Sequence, residues 1–350
     1  MLPAPLSILI FGASYGLLPA AKLALAGHQV TIIGRELERQ GLTAQGVSVL
    51  IPLRHATGEV RLSVKVSTDP KPGQIQVCVP AEICCETFDF VMLAMQEPQY
   101  CDPQVATLMH RVAWAGVPCL SLMNWPPPPF LTRLGVPMDT TYEGACSCMD
   151  VWRNFEPALF SLTSPDPQAI RTDPKRPGFL KVTLASNFKA APFDDVPAQE
   201  LLKSLAKDFA TLKPRAPVHL LAHSSVFIPL AKWPMLLTGN YRCLTESGVR
   251  TISETVTSEL EQSAKIYDSV QVLLARIGMP AKYRVTFEDY CKAARKLLRP
   301  SSVARSIDAG AKQVERTDRL VLNLLHMYGL PEEPIAGIVA RTDAHLTANR

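Results

Sequence analysis

The chain has 350 residues, of which 47% are hydrophobic and 19% charged, enough apolar material for roughly two domains and too much for a disordered chain. Its 36 basic and 32 acidic residues leave a net charge of +4, which argues against a nucleic-acid binder or a polybasic membrane anchor. No apolar stretch reaches the roughly 20 residues of a membrane span, and the first residues lack a secretory signal pattern. Nine cysteines, an odd count, favour reduced thiols, so we expect a cytoplasmic protein.

The N-terminal segment has the pattern of a strand–turn–helix–strand unit. Leu6–Phe11 is a continuous apolar run typical of a buried parallel strand, Leu17–Ala26 is a helix candidate, and Gln29–Ile33 is a second, β-branched strand. The turn between the first strand and the helix consists of Gly12, Ala13, Ser14, Tyr15 and Gly16. Such a turn lets a pyrophosphate approach the backbone N–H groups of a helix start.

The glycine spacing of this turn leaves other interpretations open. Ser14 stands where the usual G-x-G-x-x-G fingerprint has a glycine, so the same residues fit an ordinary strand-to-helix turn. They also fit the G-x-S-x-G turn of a serine hydrolase, but no convincing aspartate and histidine follow at later strand ends. A dinucleotide-binding turn is the interpretation that we carry forward.

The residues after the second strand indicate which dinucleotide is bound. Arg35 and Glu36 lie about 22 residues after Gly12, where an acid normally binds ribose hydroxyls or a basic residue binds a 2′-phosphate. Arg35 comes first, and Arg39 follows one helical turn later, so the sequence predicts NADP. Glu36 leaves NAD open, and a solvated charge cluster is the alternative without a function.

Two later apolar runs, Phe88–Met95 and Val117–Met123, predict further parallel strands. Ligands bind at the carboxyl ends of such strands, which places Gln96 and Asn124 near a cofactor or substrate. The four prolines of Pro126–Pro129 predict a stiff polyproline segment that shapes a cleft wall.

The pattern changes to helical periodicity from about residue 198. The predicted helices are Ala198–Leu212, Glu254–Ile277, Phe287–Leu298 and Ala311–Tyr328. Short strands that complete the first sheet are expected at Leu180–Leu184, Asn187–Ala190 and Val218–Leu221. The sequence therefore predicts an α/β Rossmann-type domain with a mainly parallel sheet over 1–195 and an all-α domain over 196–350.

Lys232 is singled out because the stretch Ile228–Asn240 around it is otherwise apolar. A lysine in such a setting either extends its amine to solvent or serves a site, for example as a general acid.

These features together resemble the ketopantoate reductase family, whose C-terminal domain is like that of 6-phosphogluconate dehydrogenase. The resemblance rests on the glycine turn, Arg35 after the second strand, Asn124 at a strand end, and the pair Lys232 and Asn240 opening a helical domain. It implies NADPH-dependent reduction of a 2-oxo acid or related carbonyl by hydride transfer, with Lys232 and Asn240 catalytic. It also implies a homodimer, and it places a substrate-contacting serine at Ser301 or Ser302.

Two positions depart from the family pattern. Leu236 replaces an asparagine of the lysine motif, and the family glutamate falls on Gln313, with Glu315 two residues later. Because both family residues lie close to the substrate, these departures put ketopantoate itself in doubt while leaving the reductase framework intact.

Two other function classes remain open. An opine-type dehydrogenase would condense a 2-oxo acid with an amine, with His219 or His223 as an acid–base group, and a non-catalytic NADP sensor would only bind the cofactor. No metal site is expected, because Cys84-Cys85 and Cys146-Ser147-Cys148 lack paired C-x-x-C spacing and nearby histidines.

Overall fold

A computed structural model describes residues 5–54, 57–212, 216–246 and 248–350 of the chain. The chain divides into two compact units. The α/β unit comprises Met1–Met95, Gln99–Met123 and Asp150–Val226, and the helical unit comprises Gln96–Pro98, Asn124–Met149 and Phe227–Arg350.

The strands in chain order are β1 (Ser7–Phe11), β2 (Gln29–Ile33), β3 (Val47–Pro52), β4 (Glu59–Val64), β5 (Ile75–Cys78), β6 (Phe90–Leu93), β7 (Cys119–Ser121), β8 (Phe160–Ser164), β9 (Gln168–Ile170), β10 (Phe179–Leu184), β11 (Phe188–Ala190), β12 (Leu220–Ala222), β13 (Leu244–Thr245) and β14 (Gly248–Val249). The helices are α1 (Leu17–Leu25), α2 (Glu36–Gln45), α3 (Pro103–Ala115), α4 (Pro128–Thr132), α5 (Met138–Thr141), α6 (Val196–Thr211), α7 (Trp233–Met235), α8 (Ile252–Thr257), α9 (Leu260–Ile277), α10 (Phe287–Ala294), α11 (Ser302–Asp308), α12 (Thr317–Met327) and α13 (Ile335–Ala348).

The main sheet of the α/β unit has eight strands in the order β12-β11-β8-β7-β6-β1-β2-β5, and only the β8–β11 pair is antiparallel. β1 pairs in parallel with both β2 and β6, and its residues Ile8–Phe11 are fully buried, which is why they form a continuous apolar run. The predicted fold class, a Rossmann-type α/β domain with a helical C-terminal portion, is confirmed.

A second sheet of the α/β unit has four strands in the order β4-β3-β10-β9. The strand predicted at Leu180–Leu184 belongs here, as β10, so the expectation that it completes the main sheet is wrong. The reason is a close backbone approach before the strand: a Cβ at Gly178 would lie 2.0 Å from the carbonyl oxygen of Gly46, so β10 lies directly beside β3. The other two predicted strands, β11 and β12, do extend the main sheet.

The last segment of the α/β unit ends at Val226, and the chain enters the helical unit at Phe227, later than the boundary predicted at 195–196. The cause is α6, whose residues Leu202, Leu205 and Phe209 pack into the hydrophobic core of the α/β unit. Residues 124–149 also lie in the helical unit, although they precede β8 in the chain.

Four predicted elements of the helical unit differ from the structure. The helix expected over Phe287–Leu298 ends at Ala294. The helix expected over Glu254–Ile277 is two helices, α8 and α9, because Glu259 leaves helical geometry at φ −134° and its carboxylate accepts a hydrogen bond from the buried Arg242 at 2.8 Å. The helix expected from Ala311 begins only at Thr317. The prolines of Pro126–Pro129 form no single polyproline segment, because Pro128 begins α4, where the first turn tolerates proline.

The expected reduced state is confirmed for seven of the nine cysteines. Seven are free thiols, namely Cys78, Cys84, Cys85, Cys119, Cys146, Cys243 and Cys291. Cys101 and Cys148 are disulfide-bonded, so the expectation is wrong for these two. No helix within the described ranges has both the length and the apolar character needed to cross a lipid bilayer.

Candidate functional site: a glycine turn and a carboxylate-lined helical site

The glycine turn follows β1 and leads directly into α1. Gly12 adopts φ +107°, a conformation that disfavours any side chain, and a Cβ there would lie 2.9 Å from the carbonyl oxygen of Ala94. A Cβ at Gly16 would lie 2.3 Å from the carbonyl oxygen of Gly12 and 2.9 Å from a methyl of Ile10. The first glycine therefore makes the tight turn, and the last one lets the helix start pack against the strand, as a pyrophosphate-binding turn requires.

The three residues between these glycines have different environments. Ala13 is buried, whereas Ser14 is exposed. The hydroxyl of Tyr15 donates a hydrogen bond to the carbonyl of Pro167 at 2.8 Å, and its ring packs edge-on against Phe188. Burial, with a smaller effect of Asp166, raises the pKa of Tyr15. Tyr15 thus stays protonated and is held within the α/β unit.

Arg35 lies at the strand end predicted for it, as the N-cap residue of α2, and its side chain is 84% exposed. Its backbone N–H and its Nε donate hydrogen bonds to Oε2 of Glu38, at 3.1 and 3.4 Å. Arg39 is otherwise engaged, because it pairs with Glu36 at 2.6 Å and with Glu82 at 2.7 Å. Arg35 is therefore the more available cation at this strand end.

In the helical unit, Gln96 and Asn124 stand at the two predicted positions after β6 and β7. Gln96 is exposed, and Asn124 is partly buried. The side-chain oxygen of Asn124 is buried and accepts no hydrogen bond from the described residues. A buried amide oxygen without a donor is costly, so this atom fits a ligand that supplies an N–H.

Glu97, next to Gln96, is a fully buried carboxylate that the sequence did not single out. It accepts hydrogen bonds from the backbone N–H and the hydroxyl of Ser147, both at 2.8 Å, and from the thiol of Cys146 at 3.4 Å. Burial raises its pKa, and these donors oppose the rise.

Glu315 is the second carboxylate of this region, in the segment before α12. It accepts hydrogen bonds from the backbone N–H groups of Glu97, Asn124 and Trp125. Burial, and next the nearby Glu97 carboxylate, raise the pKa of Glu315 to about 8. Tyr241 fixes the backbone of this segment, because its hydroxyl donates to the carbonyl of Glu315 at 2.5 Å. The helical unit thus holds two carboxylates around the residues that follow the strands.

Lys232 is partly buried, in a helical segment of irregular hydrogen bonding. A 3₁₀ turn, Leu230–Lys232, runs into α7, and a π-helical turn follows at Leu236–Asn240. Such π turns are frequent at functional sites. Leu236, which replaces the family asparagine, is buried in this turn.

Ser301 contacts the backbone of Asn240 and not its side-chain amide. The buried Ser301 hydroxyl donates to the backbone carbonyl of Asn240 at 2.7 Å and caps α11 by accepting from the N–H of Ala304 at 3.1 Å. Ser302 and Gln313 are exposed.

The histidines of the opine-type alternative flank β12 in the α/β unit. Burial lowers the pKa of both His219 and His223, which favours their neutral forms. Lys22 and Arg54 add to the lowering at His219.

The sequence did not indicate that the carboxylates of Glu97 and Glu315 lie close to each other in the helical unit. Glu97 adjoins the predicted Gln96, so its place after a buried strand was an available signal. Glu315 had none beyond its distance of two residues from Gln313, because the helix predicted from Ala311 concealed the non-helical segment that carries it.

No family model and no curated protein matches this sequence. Solved structures match it over nearly its whole length. A protein of Ralstonia solanacearum MolK2 assigned as a ketopantoate reductase is 13% identical, with 99% of each chain covered and a TM-score of 0.71. A PanE/ApbA family ketopantoate reductase from Ralstonia eutropha JMP134 is 15% identical, covering 98% of this chain and 99% of its own, with a TM-score of 0.67.

A D-mandelate dehydrogenase, solved with NADH and anilino(oxo)acetate, is 13% identical, with 98% of this chain and 99% of that chain covered and a TM-score of 0.68. The fold is thus the one that these solved structures share, with a Rossmann-type and a helical portion. In particular, the chain has the ketopantoate reductase fold, and the predicted resemblance is confirmed at the level of the fold.

Proposed function

We propose that the chain is a nicotinamide-dependent reductase of a 2-oxo acid or a related carbonyl compound. In this proposal the region 1–195 binds NADP and the region 196–350 holds the substrate. The glycine turn carries the proposal, since it combines a positive φ at Gly12 with a Gly16 that admits no Cβ. The ketopantoate reductase fold supports it, because both ketopantoate reductases and a D-mandelate dehydrogenase share that fold.

The residues present fit a nicotinamide dinucleotide. The turn from Gly12 to Gly16 would hold the pyrophosphate at the start of α1, and Arg35 would bind a 2′-phosphate. The unsatisfied side-chain oxygen of Asn124 would accept the carboxamide N–H of a nicotinamide, with the exposed Gln96 nearby in sequence. When bound, the cofactor supplies the hydride that reduces the carbonyl carbon.

Lys232 is the proposed proton donor to the oxygen of the reduced carbonyl. A positioned general acid contributes roughly 10²–10⁴-fold to a rate. Asn240 would orient the lysine and the substrate. Ser301 would act through the backbone of Asn240, whose carbonyl accepts its hydroxyl hydrogen bond.

The substrate pocket is proposed to differ from that of the family. Leu236 would supply an apolar surface where the family has an amide, and Gln313 would stand where the family has a glutamate. Ser302, which is exposed, remains available for a substrate carboxylate. A substrate less polar than ketopantoate follows from these changes.

The test is the fall in NADPH absorbance at 340 nm with ketopantoate and a panel of 2-oxo acids bearing larger apolar groups. We expect turnover with at least one of them, and Lys232→Ala should lower kcat at least 100-fold while leaving the NADPH dissociation constant within twofold. Lys265→Ala, which removes an exposed lysine of α9, is the matched control with full activity.

Other outcomes select the alternatives. Turnover only with an added amine would indicate an opine-type dehydrogenase, and tight NADPH binding without turnover of any carbonyl would indicate a sensor. Unchanged kcat in Lys232→Ala would remove Lys232 from the mechanism. The resemblance also leads us to propose a cytoplasmic homodimer. Sedimentation equilibrium would measure the mass of the assembly.

A further inference from the structure

Glu38 lies between two arginines beside the glycine turn. Its Oε2 atom accepts hydrogen bonds from Arg35, and its Oε1 atom is 3.6 Å from Nη1 of Arg171. Arg171 also donates from Nη2 to the carbonyl of Ala13, within the turn, at 2.6 Å. Glu38 is 15% exposed and Arg171 22%, whereas Arg35 is largely in solvent. We call Arg35, Glu38 and Arg171 the strand-end triad.

Arg171 reaches this place because the fold packs the β9–β10 hairpin against α2. Arg171 directly follows β9. A Cβ at Gly41 of α2 would lie 2.4 Å from Cγ of Pro177, which belongs to the connection between β9 and β10. Gln45, at the end of α2, donates a hydrogen bond to the carbonyl of Lys175 in the same connection at 3.1 Å. The connection between β9 and β10 thus packs closely against Gly41 and is hydrogen-bonded to Gln45, and this contact with α2 positions Arg171.

The other charges at this strand end pair among themselves and leave one net negative charge. Arg39 bridges Glu36 and Glu82, at 2.6 and 2.7 Å. This leaves the triad, with two positive charges and one negative charge, to meet an incoming phosphate. A phosphate bound to Arg35 would lie close to the Glu38 carboxylate, and like charges so close repel each other strongly.

We infer that Arg171 is a positioning residue that makes the site select a 2′-phosphorylated dinucleotide. It neutralises Glu38 and holds this carboxylate against the glycine turn, so that Arg35 is free to bind the 2′-phosphate. This inference rests on the proposed dinucleotide binding. It adds that selectivity depends on a residue just after a strand of the second sheet, far along the chain from the strand end that carries Arg35.

Removing Arg171 leaves Glu38 with Arg35 as its remaining cation in the triad. Arg35 is then retained by Glu38, and the carboxylate charge repels the phosphate. The unphosphorylated dinucleotide is not affected in this way, because it has no 2′ charge. In Arg171→Gln we expect the dissociation constant for NADPH to rise about tenfold and that for NADH to change less than twofold.

The experiment measures the dissociation constants of NADPH and NADH by protein fluorescence quenching at low ionic strength. It compares the wild type with Arg171→Gln, Glu38→Gln and the double variant. The double variant should bind NADPH within twofold of the wild type, because the uncompensated carboxylate is gone. Arg171→Lys should restore most of the NADPH affinity. Lys203→Gln, which removes an exposed lysine paired with Glu200 in the same unit, should change neither constant.

Three results would overturn the inference. Equal weakening of both dinucleotides in Arg171→Gln would mean that the residue only supports the turn through Ala13, and unchanged binding of both would mean that it has no role. If Arg171→Gln does not fold, Glu38→Gln decides: it should strengthen NADPH binding about threefold and leave NADH binding within twofold, and unchanged NADPH binding would overturn the inference. A wild type that binds neither dinucleotide at millimolar concentration would instead refute the proposed function, and the inference with it.

Discussion

The two units hold their candidate site residues by different means. In the α/β unit the site is shaped by the backbone: Gly12 has a positive φ, and Gly16 packs with no space for a side chain. In the helical unit it depends on hydrogen bonds made by side chains: the Glu315 carboxylate accepts from three backbone N–H groups, and the Tyr241 hydroxyl donates to the backbone carbonyl of Glu315.

This difference determines what each unit tolerates. A backbone-shaped site accepts changes in many exposed side chains but no added Cβ at its glycines. A side-chain-shaped site accepts small backbone adjustments but loses its geometry when one hydrogen-bonding partner is removed. Substitutions that target one mechanism or the other therefore test whether the two units differ in this way.

Gly16→Ala should have the largest effect. Its Cβ would lie 2.3 Å from a backbone oxygen, so the turn must open, and we expect NADPH affinity to fall at least 100-fold with a loss of several kcal/mol of stability. Gly27→Ala is the matched control: Gly27 has φ +100° but a Cβ there would meet nothing within 4 Å, so only about 1 kcal/mol of strain is expected. Fluorescence titration and thermal melting measure both effects. A Gly16→Ala variant with normal affinity would contradict a backbone-shaped site.

Lys22 gives the α/β unit a pH-dependent stability. It is fully buried and donates to the carbonyls of Ala216 and Val218, and burial lowers its pKa from 10.5 to about 8. Between these values the unfolded chain binds more protons than the native one, so the free energy of unfolding rises with pH.

We expect the difference in unfolding free energy between wild type and Lys22→Met to rise by about 3 kcal/mol from pH 7.5 to pH 10.5. Urea denaturation at several pH values measures it. The same pH dependence of the unfolding free energy in both proteins would contradict the lowered pKa of Lys22.

Glu315 should give the helical unit the opposite dependence. Its pKa is raised from 4.5 to about 8, so the native state binds more protons than the unfolded chain between these values. The stability difference between wild type and Glu315→Gln should therefore fall as pH rises from 5 to 8. The same denaturation series checks the sign, and a rising difference would contradict the burial of this carboxylate beside Glu97.

Arg242→Met should have the smallest of these effects, about 2 kcal/mol of stability. The buried Arg242 donates to Ser263 at 2.8 Å, Glu259 at 2.8 Å and Gln262 at 3.0 Å. Dinucleotide binding should stay unchanged, because Arg242 is not among the residues proposed to hold the dinucleotide. Lys265→Ala is the control, since its exposed pair with Glu261 contributes only about 0.3–0.5 kcal/mol. Equal losses in the two variants would mean that burial of Arg242 adds nothing.

The sequence predicted the α/β unit better than the helical one, for physical reasons. The runs that became β1, β2, β6 and β7 are apolar because both faces of a parallel sheet are covered, and their spacing locates the strand ends where Arg35 and Asn124 lie. Helical periodicity gives no such marker of where a helix ends. It concealed the break at Glu259 and the non-helical segment with Glu315, both of which depend on hydrogen bonds distant in sequence.

The strand pairing of the second sheet could not be predicted from the sequence either. β10 reads as a strand from its residues, but its partner is set by the close approach of Gly178 to Gly46, which only the folded backbone reveals. The same packing brings Arg171 to the glycine turn, so this contact had no sequence signal.

Calorimetric titration of the wild-type protein with NADPH tests the central claim most directly. The account predicts one site per chain with a micromolar dissociation constant, and weaker binding of NADH. The absence of any binding heat up to millimolar NADPH, in protein that melts cooperatively, would contradict a dinucleotide site at the glycine turn.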